Sequence, residues 1–113
     1  MSGTVSTNLT PANGPGLAYT AIDEDWTIAP GILVASNDDH GVASTFADAQ
    51  LHNFGTVISG PADNGVSFTA GGLVENGSSG LIIGGMNGIV LNGGAADEAS
   101  VVVNAGTVQG DTY

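Results

Sequence analysis

With no Lys, no Arg and 11 acidic side chains, this chain of 113 residues carries a formal charge of −11 and has no side chain suited to neutralising phosphate, which argues against nucleic acid and anionic membranes as partners. The absence of Cys excludes a disulfide framework and thiolate metal sites, and no run reaches the roughly 20 apolar residues of a membrane span. At 42% apolar content with 19 Gly and only 5% aromatics, the composition suits a single domain of many short strands and many corners, with a long, thin core.

Residues 1 to 25 differ from the rest. Pro11, Pro15, Gly14 and Gly16 break any pattern, and Asp23-Glu24-Asp25 closes the segment, which predicts an extended N-terminal arm or cap. The start, Met1-Ser2-Gly3-Thr4-Val5, has neither a basic n-region nor an apolar h-region, so export would either bypass a cleavable signal or follow its removal.

From Trp26 the texture becomes strand and turn, and residues 26 to 113 read as one β-solenoid domain. Trp26-Thr27-Ile28, Ile32-Leu33-Val34, Thr56-Val57-Ile58, Val66-Ser67-Phe68, Leu81-Ile82-Ile83, Ile89-Val90-Leu91 and Val101-Val102-Val103 are short β-favouring runs, each bounded by Gly, Asn, Asp, Pro or Ser. Two motif series run through them. His40-Gly41-Val42, Asn64-Gly65-Val66 and Asn87-Gly88-Ile89 are spaced by 24 and 23 residues, and Asn53, Asn76 and Asn104 each precede a small Gly-containing turn and an apolar run. Two interleaved series of one period mark a solenoid, in which each repeat buries its apolar face only by stacking on the next. The expected fold is an all-β, short parallel β-helix of about three to three and a half rungs, each of roughly 23 residues with three faces.

Parallel stacking places equivalent residues about 4.8 Å apart, so like side chains form ladders. Asn53, Asn76 and Asn104 are expected as an amide ladder at a corner, Val42, Val66 and Ile89 as an apolar ladder inside, and Gly41, Gly65 and Gly88 as corner positions needing a left-handed or otherwise crowded backbone.

The runs Asn53-x-Gly55-Thr56-Val57 and Val103-Asn104-x-Gly106-Thr107-Val108-x-Gly110, with Trp26-Thr27-Ile28, Gly31-Ile32-Leu33-Val34 and Gly65-Val66, resemble the degenerate Asn-x-Gly-Thr-Ile-x-Gly repeats of bacterial autotransporter passengers and filamentous-haemagglutinin-like adhesins. The resemblance covers about residues 26 to 110. It implies a right-handed parallel β-helix and a role at the cell surface or outside the cell. Those passengers are usually much longer and are followed by an outer-membrane barrel.

Candidate sites are few. Asp38, Asp39 and His40 form the best metal candidate, with hard oxygens for calcium and a nitrogen for a softer ion. A solvated turn is the stronger reading, because His40 holds the repeat position occupied elsewhere by Asn64 and Asn87. Asp23-Glu24-Asp25 and Asp97-Glu98 read as solvated charge runs that divalent cations, calcium included, would relieve; no other cofactor is expected. A catalytic role is not expected. His40, His52 and the serines form no recognisable triad, and a uronic-polymer enzyme needs cations this chain lacks. Asp38, Asp39, Asp63 and Glu75 are the carboxylates near turns that glycoside hydrolysis would have to use. The large aromatics Trp26 and Phe68 read as core or cap.

A short solenoid exposes unpaired backbone and apolar ladder ends at its terminal rungs. The expectation is a self-assembling structural protein, its copies stacked head to tail into an extracellular filament or matrix fibre through Val5, Leu17 and Tyr19 of the arm and Val101, Val103 and Val108 of the last rung. The alternative is an adhesin-like binding module using an acidic lateral face.

Overall fold

The computed structural model describes residues 3–92 and 100–110, and among them there is no helix. The backbone is a parallel β-solenoid of about four turns of ~24 residues. The first circuit holds β1 (Gly3–Val5), an isolated parallel bridge from Leu9 to Val34, and β2 (Leu17–Ala18). Then come β3 (Asp25–Ile28), β4 (Leu33–Ala35) and β5 (Val42–Ser44); β6 (Ala49–Asn53), β7 (Thr56–Ile58) and β8 (Val66–Phe68); β9 (Gly72–Asn76), β10 (Leu81–Ile83) and β11 (Ile89–Leu91); and finally β12 (Val101–Asn104) and β13 (Thr107–Gln109).

Three sheets run the length of the coil. The first face is ordered β1-β3-β6-β9-β12, the second β4-β7-β10-β13 and the third β2-β5-β8-β11, with every pairing parallel. Strands of three to five residues suffice because each circuit gains its hydrogen bonds from the circuits above and below.

Residues 1–25, expected as an arm or cap, supply the first circuit over their described part. Gly3, Thr4 and Val5 pair with Trp26, Thr27 and Ile28, and Leu17 and Ala18 pair with Val42 and Ala43. The prolines occupy the stretch between β1 and β2, where the ladder asks for only one bridge. Trp26 stands next to Gly3 in register, and its large ring covers the space left by a residue with no side chain.

The core is a stack of inward ladders. Val34, Val57 and Ile82 on the second face and Val42 and Val66 on the third are fully buried, and Ile89 continues the latter column half-buried. Phe68 is fully buried and tilts against Tyr19 with ring centroids 5.3 Å apart.

Gly41, Gly65 and Gly88 line the corner before the third face. None has a positive φ, so the requirement here is close approach and not a left-handed backbone. A Cβ on Gly65 would lie 2.6 Å from Gly88 O and 2.7 Å from the Cγ2 of Ile82, inside any allowed contact.

Candidate functional site

Asn53, Asn76 and Asn104 stand in one column of the first face, in register along β6, β9 and β12. Asn53 Nδ2 donates to Asn76 Oδ1 at 2.9 Å, and Asn76 Nδ2 donates to Asn104 Oδ1 at 2.9 Å. Each amide also closes its own turn, as where Gly55 N–H donates to Asn53 Oδ1 at 3.1 Å. Higher in the same column the partners are Ile28 and Val5, so an apolar ladder changes to an amide ladder at Asn53.

The corner between the second and third faces brings Asp39, His40 and Asp63 together, with one ligand atom from each lying within 4.8 Å of the others. Asp38 is not part of this group: its Oδ1 accepts the N–H of Gly14 at 3.0 Å, tying it to the first circuit. Asp63, from the next circuit, takes its place, a substitution that becomes readable once His40 and Asn64 are aligned as repeat positions. His40 itself is committed. Its Nδ1 accepts the backbone N–H of Asn64 at 3.0 Å, so the neutral ring carries its proton on Nε2, 4.0 Å from Asp39 Oδ1. A metal at Nε2 would have to remove that proton or break the Asn64 bond, so the chemistry of the donor set fits a structural corner better than a metal centre. Asn87 continues the column, donating through Nδ2 to Asn64 Oδ1 at 3.0 Å.

Of the remaining carboxylates, Glu75 lies on another face. His52 projects outward on the first face between buried Leu51 and Asn53, with Nδ1 2.9 Å from Glu75 Oε1 and Nε2 3.1 Å from Asp25 Oδ1. It therefore spans three consecutive circuits. All three side chains are partly exposed, and such a cluster contributes little to stability.

Asp23-Glu24-Asp25 does not present three carboxylates together. Glu24 is buried, its Oε1 accepting Trp26 Nε1–H at 3.0 Å and its Oε2 accepting the N–H of Ala21 at 2.6 Å and that of Thr20. Burial would raise its pKa, but the hydrogen bonds from Trp26, Thr20 and Ala21 prevail and hold it at about 2. Its neighbour Tyr19 is pushed well above its ordinary value, first by burial and then by Asp25 and Glu24, and its hydroxyl donates to Gln50 O at 2.5 Å. Asp97 and Glu98 lie outside the described residues.

The residues expected to drive assembly divide into two groups. Val5 and Tyr19 are buried in the protein's own core and Leu17 packs against it, so they are committed within the first circuit. Val101 and Val103 are 42% and 49% exposed on the outer side of β12. The inward position between them, Val102, is 46% exposed although its ladder mate Val74 is fully buried. With half-buried Val108 it lines an open concavity of about 490 Å³ at the end of the coil.

No family model, curated protein or solved structure matches this chain.

Proposed function

We propose that the protein is a structural building block whose copies stack end to end along the coil axis, as in an extracellular filament or matrix fibre. The observation that carries this reading is the solvent exposure of Val102 at an inward ladder position. That side chain belongs to a core column, and among the described residues no circuit lies beyond β12 and β13 to cover it. The complementary edges are those of β1 and β2 at the other end, each the last strand of its sheet. Because Val5, Leu17 and Tyr19 are already used within the first circuit, stacking joins the open edges of the described coil and exchanges no arm. Such a contact is heterologous and does not close, so growth continues. The sequence resemblance to passenger and haemagglutinin-like repeats supports a surface or extracellular setting.

Sedimentation velocity and negative-stain imaging over a range of protein and salt concentrations test this. Growth should increase with salt, which screens the repulsion between copies of charge −11. Val102→Asp should suppress growth with the β-type circular dichroism retained. A chain that stays monomeric at every concentration and salt would overturn the proposal.

A second reading, an adhesin-like module, is favoured by the distribution of charge. All acids among the described residues lie on the first face or at the two corners flanking the third, which suits a cationic partner on that side. Binding of that kind should weaken with salt, opposite to stacking.

A further inference from the structure

We infer that the second face is a lateral docking surface for a second copy of this chain. This contact is side to side and independent of end stacking.

β4, β7 and β10 each bury their middle residue, β13 half-buries Val108, and all four turn the two flanking residues outward. The outward residues form two columns. Leu33, Thr56, Leu81 and Thr107 are in register in one; Ala35, Ile58, Ile83 and Gln109 are in register in the other. Not one is charged. The corner leading into the face adds half-buried Ile32 and Phe54, and no acid occurs in residues 26–37, 53–62, 76–92 or 100–110.

Charge selects the occupant. A copy of this chain brings 11 carboxylates and no Lys or Arg, so any contact using the first face, or the third with its acidic corners, opposes like charges. The second face and its neutral entry corner form the one strip of the described surface that carries no acid, bounded on its far side by the corner that holds Asp38, Asp39 and Asp63. Orientation follows from the same distribution. Two copies facing each other with their coil axes parallel set the first column of one against the second column of the other, so the Asp39 and Asp63 corner of each lies opposite the neutral Ile32 and Phe54 corner of its partner.

Size sets the strength. Four strands of three residues make a face of roughly 19 by 10 Å, well below the ~800 Å² per partner of a stable complex. Single molecules therefore pair weakly, and the contact grows with the number of circuits aligned.

The chain has no Cys, so single-cysteine variants report the contact cleanly. Thr56→Cys, Ile58→Cys and Ile83→Cys are treated with a short bifunctional maleimide beside Gln50→Cys, a control on the acidic first face. At least one second-face variant should cross-link to dimer about tenfold faster than the control, because pairing raises the effective thiol concentration. The advantage should increase with salt. Leu81→Glu placed in the fastest variant should return it to the control rate with circular dichroism unchanged; if that change disturbs folding, Thr107→Glu, an exposed polar position on the same face, serves instead. End stacking alone leaves the Ile58 residues of successive copies separated by the length of the coil, out of reach of a short linker. Equal rates at all second-face and control positions, or an advantage that survives the added Glu, would overturn the inference.

Discussion

The Nδ1 of His40 in one circuit accepts the backbone N–H of Asn64 in the next at 3.0 Å, so a side chain that resembles a metal ligand in sequence acts as a splice between circuits. The same position one and two circuits on is Asn, and Asn64 and Asn87 are joined by their own amides at 3.0 Å. An Asn side-chain oxygen can take over the acceptor role that the ring performs. His40→Asn should change stability by less than about 1 kcal/mol, whereas His40→Ala leaves the Asn64 N–H without its acceptor and should cost about 1–2 kcal/mol. Urea midpoints of the two variants separate these outcomes. Zinc or calcium should leave the unsubstituted melting temperature unmoved, since coordination at the ring competes with the splice.

Asn76 is the middle member of the amide ladder, joined to another amide on both sides. Its Oδ1 accepts from Asn53, and its Nδ2 lies within hydrogen-bond distance of Asn104 Oδ1, Gly80 O and Thr107 O. Asn76→Ala strands the buried Asn53 amide and the buried Gly80 carbonyl, cuts the link to Asn104, and should destabilise by about 2–4 kcal/mol. Asn104→Ala, at an exposed position in the same column, should cost under about 1 kcal/mol. A smaller effect at Asn76 than at Asn104 would mean that the column does not act as a connected ladder.

The repeat was legible because its two chemical demands recur at one spacing: an amide that closes a turn and links circuits, and a glycine where backbones nearly touch. The first circuit was not legible, because its column carries Val5 and then Ile28 where later circuits carry Asn, so the amide signature is missing although the strand register is the same. Asp38 and Asp39 are adjacent in sequence yet face different neighbours, one toward Gly14 and the other toward His40, a divergence set by the turn and invisible in composition. Glu24 was hidden in the same way inside an acidic triplet. Val102 does not stand out in sequence, because all three valines of β12 look alike until pairing with β9 assigns the middle one inward.

Gly65 tests whether circuits are held by contact or by local backbone preference. Its φ is ordinary, and a side chain there would run into Gly88 O and Ile82. Gly65→Val should therefore cost at least about 3 kcal/mol, at or beyond the upper end of overpacking effects. Ser67→Val, in the adjoining strand and on the column shared with Ala43 and Val90, should cost much less. Thermal melts of the pair give the comparison directly, and equal costs would show that the corner has slack.

Glu24 makes the stability of the first circuit depend on acid. Its folded pKa of about 2 lies below the ordinary 4.5, so the ionised form is favoured by folding. The corresponding stabilisation is complete above about pH 4.5, falls as pH drops below that value and is lost through about pH 2. Burial opposes the ionised carboxylate, and with no Lys or Arg in the sequence the opposition is met by the Trp26 indole and the N–H groups of Thr20 and Ala21. Glu24→Gln turns amide hydrogens toward those donors and should cost about 2 kcal/mol at neutral pH, the scale of charge-assisted bonds. The same variant should flatten the loss of stability between pH 4.5 and pH 2. Urea midpoints across that range, with Trp26 fluorescence as the probe, read both effects, and an unchanged acid slope would assign the acid sensitivity to other carboxylates.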